Sequence, residues 1–459
     1  MRNPLLVPEL RELIATGQHE DLADFAGAAH PADVADFIAL LEPDEIRRFL
    51  VVVPARRRAE IFTHLDSSME AALVATMNRR ELVELVTHMD SDERADLVAR
   101  MSEEHREALL PALAASERDD ILRLSSYPEG SAGAVMTSDY ATLAPHETVA
   151  QALEHLRHEA PDKETIYYAY VVDSRRRLLG FVTLRDLILA SPRKRVEEIM
   201  RADVVSASAG DDQEDVARAI AKYDLIALPV TGPDRELLGI VTHDDVLDIL
   251  GQEHTEDAEK FVGITGEHAV DSYLRTSPLE HFRRRAGWVI GLAVLGLTSG
   301  LILHAFQATL DHLLLLAVYL PMIASAGGNT GSQSAMVVMR SLATGELASR
   351  DALHVLLKEL CVALLLAAVL ATLMFGKVLL LSGGADLPGE LSIARVAAVI
   401  GLALGVQVIT ATLAGALLPL AAARLGFDAA VVASPALTTL VDITGLLIYF
   451  GTAKALLGI

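Results

Sequence analysis

From Pro321 to Met336 the chain reads PMIASAGGNTGSQSAM, between HLLLLAVYL (His312–Leu320) and VVM (Val337–Met339). The flanks are those of a membrane span, yet the middle carries Ser325, Asn329, Thr330, Ser332, Gln333 and Ser334 beside Gly327, Gly328 and Gly331. If the stretch is helical, Ser325, Asn329 and Gln333 share one face, because residues four apart stack along a helix. The glycines either let neighbouring helices approach closely or break the helix so that backbone carbonyls face a cavity. Hydrogen bonding between helices is the competing reading, and the density of polar groups and glycines argues against it.

The surroundings support a membrane half. The 459-residue chain is 52% hydrophobic with mean hydropathy +0.35; its charged residues crowd the part before Ala286 and its apolar runs follow it. Those runs predict five spans, at about 286–306, 312–340, 352–381, 391–421 and 430–457. Arg283, Arg284 and Arg285 directly precede the first span, with Trp288 as an expected interfacial anchor. That basic cluster places the N-terminal half in the cytoplasm, and an odd number of spans leaves the C-terminus outside. Asp442, in ALTTLVDITGLLIYF, has no Lys or Arg near it until Lys454. An acid midway in a span costs roughly 2.5–3.5 kcal/mol on insertion scales and is a functional-site candidate. The competing reading is a protonated carboxyl capped by Thr438 or Thr439.

Net charge −23 argues against nucleic acid and favours cations as partners. The lone Cys361 cannot form an intrachain disulfide, and MRNPLLVPELREL is not a signal peptide. With no P-loop glycine–lysine pair, nucleophile elbow or HExxH motif, no enzyme is expected.

Two repeats organise the N-terminal half. Apolar residues recur every twelve positions at Leu41, Val53, Leu65, Met77, Met89, Met101 and Leu113, the first six directly ahead of a Ser, Asp, Asn, Pro or Glu. Short helices stacking into a superhelix follow, since one repeat cannot bury its own apolar face; an irregular bundle would contain nearly the same helices. After SYPEGSAG, Val135–Leu153 is echoed by Ile199–Ile220, and LLGFVTLRDLI (from Leu178) by LLGIVTHDDVL (from Leu237), aligning Gly180 with Gly239 and Asp186 with Asp245. This α+β repeat resembles a pair of CBS domains.

Acids cluster in three places: Asp90, Asp92, Glu93 and Asp96; Asp211, Asp212, Glu214 and Asp215; and HDDVLDILGQEHTEDAEK, with Asp244, Asp245, Asp248, Glu253, Glu256, Asp257 and Glu259. Two carboxylates about 4 Å apart repel by roughly 1 kcal/mol in water and about 4 at an effective dielectric of 20. Either these are solvated helix faces or cations sit among them.

The GGNTGSQ and TTLVDITGLLIYF stretches, YPEGSAG before a CBS pair and the acidic helix after it together resemble the MgtE family of bacterial magnesium channels and transporters, over essentially the whole chain. The resemblance implies a multidomain membrane protein: a helical superhelix N domain (1–134), tandem CBS domains (135–198 and 199–252), a connecting or plug helix (253–285) and five transmembrane helices (286–459). It implies a homodimer in the bacterial inner membrane with a shared pore. Asp442, Asn329, Gly328 and Thr438 are the expected selectivity residues. Regulatory Mg2+ is expected at Asp92, Asp96, Glu214, Asp224, Asp245, Asp248, Glu253, Glu256 and Asp257, closing the pore when internal magnesium is high. ATP is a further expected ligand, with Tyr168, Arg185 and Asp186 as its contacts; Asp186 otherwise caps its helix. Magnesium prefers oxygen and dehydrates reluctantly, which suits neutral oxygens plus a carboxylate. The nitrogen and sulfur groups in or beside the spans, His304, His312, His354 and Cys361, are scattered. Transport of Co2+ or Mn2+, a non-conducting divalent-cation receptor and an anion channel are the alternatives.

Overall fold

The computed structural model describes residues 6–264, 276–384, 387–388, 391–427 and 435–458. The chain divides into two compact units, the first running to Glu253 and the second starting at His254.

Among the described residues, the first unit opens with ten α-helices: α1 (Val7–Thr16), α2 (His19–Ala28), α3 (Pro31–Ile38), α4 (Pro43–Val52), α5 (Ala55–Phe62), α6 (Ser67–Thr76), α7 (Arg79–Thr87), α8 (Ser91–Arg100), α9 (Glu103–Leu109) and α10 (Ala115–Leu124). Each begins twelve residues after the last, so the period reaches back beyond Leu41 to three helices, the second and third of which have Gly17 and Ala29 at the marker position. The marker residue lies two positions before each helix; Leu41, Val53, Leu65, Met89, Met101 and Leu113 are all buried. The capping that starts these helices is explicit at α7, where Asn78 Oδ1 accepts from the amides of Arg80 and Glu81 at 3.0 and 3.1 Å. Glu81 in return accepts from the Asn78 amide at 3.0 Å. Helices pack on their next-but-one neighbours, α3 on α5, α4 on α6 and α8 on α10, which winds the chain into a superhelix around Ile46, Phe49, Phe62 and Leu85.

Two small sheets follow, joined in each case by a parallel and then an antiparallel pairing: β1 (Tyr140–Leu143), β2 (Thr165–Val172) and β3 (Leu178–Thr183), then β4 (Ala207–Ser208), β5 (Ala227–Thr231) and β6 (Leu237–Thr242). Helices α11 (Val149–Glu159) and α12 (Leu184–Leu189) accompany the first sheet and α13 (Gln213–Tyr223) the second. The segment leading into each module packs on the other one: Thr137 bridges Ile240, and Arg201 bridges Phe181. The aligned glycines explain the crossing. A Cβ at Gly180 would stand 2.7 Å from the Arg201 carbonyl, and one at Gly239 2.8 Å from the Thr137 carbonyl. Tyr140, Tyr170, Leu178, Ala227, Leu237 and Ile240 close a shared apolar seam between the modules.

Helix α14 (His243–Phe261) passes from the first unit into the second. It ends earlier than the expected connecting helix: Gly263 turns left-handed at φ 75° and the Trp288 ring lies against it. Trp288 itself is half-buried, with its Nε1 closed off from solvent. Residues 265–275 of that connecting segment, 430–434 of the expected fifth span and the first five residues of the chain lie outside the described residues.

The second unit continues with α15 (Pro278–Ala305), α16 (Gln307–His312), α17 (Leu315–Ala343), α18 (Ala352–Ser382), α19 (Ile393–Arg424) and α20 (Pro435–Leu457). Among the described residues four helices are long and apolar enough to cross a membrane: α15, α18, α19 and α20. The second of the five expected spans forms the 29-residue α17, which is not one of the four because its middle is the polar stretch Ser325–Ser334. Helix α19 is the centre of this unit, packed by α17, α18 and α20.

Candidate functional sites

In the membrane half, α17 runs unbroken through GGNTGSQ. Ser325, Asn329 and Gln333 are exposed along one face of the protomer, while Gly327, Thr330, Gly331 and Ser334 are buried on the other. The glycines thus serve close packing: Gly331 meets the Ala411 carbonyl of α19, and Gly327 meets Gln407 and Val441. Gly328 is half-buried, and a Cβ there would lie 3.7 Å from Thr438 Cγ2 of α20. One helical turn beyond Thr438 on α20 stands Asp442, also half-buried. Gly328 and Thr438 thus meet where α17 packs on α20, with Asn329 next along α17 and Asp442 one turn on along α20. The Asn329 amide leans on Ser325 Oγ at 3.5 Å. Sequence reasoning missed two polar groups nearby. Glu359 of α18 accepts from Ser334 Oγ at 2.8 Å, and the fully buried Gln407 of α19 donates to the Val441 carbonyl at 2.8 Å. Neither carries a motif; a lone Gln and a Glu near a span end look ordinary in sequence.

In the first unit, α8 brings its acids against the CBS modules. Ser91, fully buried, shares a hydrogen bond with Thr137 at 2.9 Å and accepts from the Ser138 amide at 2.7 Å. Burial raises Asp92 well above the usual carboxylate range, reinforced by Asp245, Glu93 and Glu164. Burial and the neighbouring Asp90 and Glu164 push Glu93 up to about 8. Glu164, at the start of β2, is pushed to about 8 by burial and by Asp90, Asp245, Asp244 and Asp139. Asp245 is raised by burial although the Thr242 amide and hydroxyl both donate to it. Here neighbouring carboxyls crowd one another, with Arg94 as a buried cation whose Nη2 lies 3.9 Å from Asp139. Glu164 and Asp139 belong to this cluster but lie outside any acidic run, so only the fold reveals them.

The remaining expected regulatory residues are dispersed. Asp96 and Asp248 are exposed. Glu214 pairs with Arg218 at 2.6 Å, and Asp224 is an exposed left-handed residue closing α13. Glu253 accepts from Gln213 at 2.5 Å. Glu256, which pairs with Lys260, and Asp257 belong to the second unit. Among the described residues no three His, Cys, Asp or Glu side chains converge closely enough to hold a bare metal ion. A hydrated ion spans wider gaps through its water shell, and crowded carboxyls are the donor set that suits it.

At the first CBS module, Tyr168 packs against Phe181 with ring centroids 5.3 Å apart, and the Arg201 guanidinium lies 5.8 Å from the Phe181 ring. Arg201 donates to Asp186 at 3.3 Å. The cap of α12 is supplied by Thr183, whose hydroxyl accepts from the Asp186 amide at 3.0 Å, so the Asp186 side chain is not the cap. Asp186 and Arg201, with Leu189, Ala190 and Ile199, line an open cavity of about 310 Å³; Arg185 is exposed and not part of that lining.

Three families match along the chain: the MgtE intracellular N domain at residues 29–130, the CBS domain at 132–193 and 196–252, and MgtE, described as a divalent cation transporter, at 320–452. The magnesium transporter MgtE of Thermus thermophilus is 43% identical over 334 residues, 73% of this chain and 72% of that protein. The one from Bacillus subtilis is 36% identical over 72% of this chain and 71% of that protein. A crystal structure of the soluble part of a magnesium transporter superposes with a TM-score of 0.51 at 31% identity, covering 54% of this chain and 97% of that one. The cytosolic domain of the Mg2+ channel MgtE in complex with ATP gives 0.50 at 36% identity, covering 52% and 98%.

Proposed function

We propose, from the premise that this chain belongs to the MgtE family of divalent cation transporters, that it carries Mg2+ across the cytoplasmic membrane and is closed by Mg2+ bound to its intracellular half. The chain is a multi-pass membrane protein with its N-terminal domains on the cytosolic side. The observation that carries the transport reading is the exposed row Ser325, Asn329 and Gln333 on α17, beside the Gly328–Thr438 contact and Asp442. A polar face turned away from its own protomer calls for a second copy, and a homodimer would enclose a path lined by neutral oxygens and two carboxylates. Such a lining holds a hydrated ion through its waters, as magnesium's reluctance to dehydrate demands.

Gating follows from the crowded acids. Without divalent cations, docking forces Asp92, Glu93, Glu164 and Asp245 either to repel or to take up protons, which weakens the docking of α8 on the CBS modules; with divalent cations the docked state is favoured, because the ligand binds one state better than the other. Asp248 and Asp257 extend the acid set along α14. ATP would bind at Tyr168, Asp186 and Arg185, with Phe181 and Arg201 adding an aromatic face and a cation.

Flux into liposomes containing the reconstituted protein, with Mg2+ against Ca2+, Mn2+ and Co2+, tests the transport reading. Preference for Mn2+ or Co2+ would select the alternative that the family's broader description leaves open. Replacing Asp248 and Asp257 with Ala should leave the pore open at high internal magnesium; closure as in the parent protein would sink the gating reading.

A further inference from the structure

We infer that Gln407 is a positioning residue for the ion path: its side-chain amide, held in a slot between Gly327 and Gly445, fixes the Val441–Asp442 peptide and so sets where the Asp442 carboxyl stands. The inference rests on the reading that Asp442 lines the path. Gln407 is completely buried in the middle of α19. Its Nε2 donates to the Val441 carbonyl at 2.8 Å, and Thr444 Oγ1 donates to the same oxygen at 3.1 Å. The carbonyl joined to the Asp442 nitrogen is thus held by two side chains, one from another helix.

The slot is shaped for this amide. A Cβ at Gly327 would come 2.5 Å from Nε2, and one at Gly445 would come 2.7 Å from it. Two helices therefore lack side chains where the Gln407 amide sits. Simple helix packing does not account for the arrangement. Oε1 is buried without a hydrogen-bond partner, and an amide half-satisfied in an apolar bundle is costlier than an aliphatic side chain of equal size. A polar group kept inside a membrane at such a cost marks function.

The test uses the full-length protein in liposomes. Gln407→Met keeps length and volume but removes the donor, and Gln407→Glu keeps the shape with a buried carboxyl that stays protonated and offers an O–H. Gln407→Met should lower the Mg2+ over Ca2+ flux ratio by about tenfold, on the scale of one hydrogen bond, while its thermal unfolding midpoint is not lowered. Gln407→Glu should restore the ratio. A Gln407→Met protein with the parent flux and ratio overturns the inference. If that variant fails to assemble, Gly445→Ala, which crowds the amide, decides instead: an unaltered ratio overturns the inference and a lowered one supports it. Asp442→Asn run in parallel separates the two levels. Parent-like flux there removes the underlying reading, whereas lost flux beside a parent-like Gln407→Met removes only the positioning role.

Discussion

The hydroxyls of Ser91 and Thr137 lie 2.9 Å apart, and both residues are closed off from solvent. Ser91 starts α8 of the superhelix, while Thr137 belongs to the segment that completes the second CBS module through its bridge to Ile240. One hydrogen bond thus joins the helix carrying Asp92 and Glu93 to the module whose following helix carries Asp245. The acids crowd because this joint places them together.

Ser91→Ala removes both buried hydrogen bonds of this joint and strands the Ser138 amide, at a cost of about 1–3 kcal/mol. The expected outcome is that more Mg2+ is needed to protect the N domain of the full-length protein from limited proteolysis. An unchanged protective concentration would show that the joint is not coupled to cation binding.

Docking should also depend on pH. Glu93 and Glu164 sit near 8 in the docked arrangement against an ordinary value of 4.5, so each prefers to be neutral there. A raised acid favours the docked form fully below its undocked value and loses that preference as pH rises through its docked one. Without divalent cations the cytosolic half should therefore loosen as pH climbs from 4.5 towards about 8, and Glu164→Gln should flatten the response. Proteolysis rates across that range would measure it.

Asn329→Ala should lower Mg2+ flux or discrimination without altering thermal stability, because the side chain is exposed and leans only lightly on Ser325, 3.5 Å away. A drop in the unfolding midpoint of the detergent-solubilised protein with normal discrimination would mark Asn329 as a packing residue.

Gly415→Ala should do the reverse. A Cβ at Gly415 would run into the Gly331 carbonyl where α19 crosses α17. Forcing these helices apart costs about 1–3 kcal/mol, as overpacking does elsewhere. A lowered unfolding midpoint is the expected result, with discrimination retained in the protein that still folds.

Arg201→Ala should weaken ATP binding by about tenfold, the worth of one charge-assisted contact, as read by calorimetry on the whole protein. Equal loss from Arg185→Ala alone, with Arg201→Ala unaffected, would return the nucleotide contact to the exposed residue.

Much of the architecture was legible in the chain. The twelve-residue period foretold the superhelix because a helix start with an apolar residue ahead of it recurs at fixed spacing, a local mark seen at Met77–Asn78 and Met89–Asp90. Four-residue spacing foretold that Ser325, Asn329 and Gln333 share a face, since helical geometry alone decides it. The CBS repeat was visible through Gly180 and Gly239, but the exchange of lead-in segments that makes those glycines necessary was not.

Sequence by itself determined the local and periodic features: where helices start, which stretches are apolar enough for a membrane, and which acids neighbour one another along the chain. Tertiary structure alone decided that Gly327 and Gly331 serve packing rather than a broken helix, that Glu164 and Asp139 join the acids of α8, and that Gln407 reaches the Val441 carbonyl. The physical reason is range. Capping, periodicity and hydropathy act over a few residues and are written in neighbouring letters, whereas carboxyl repulsion and a hydrogen bond across helices act through space, between residues 34 apart at Gln407 and Val441 and 46 apart at Ser91 and Thr137.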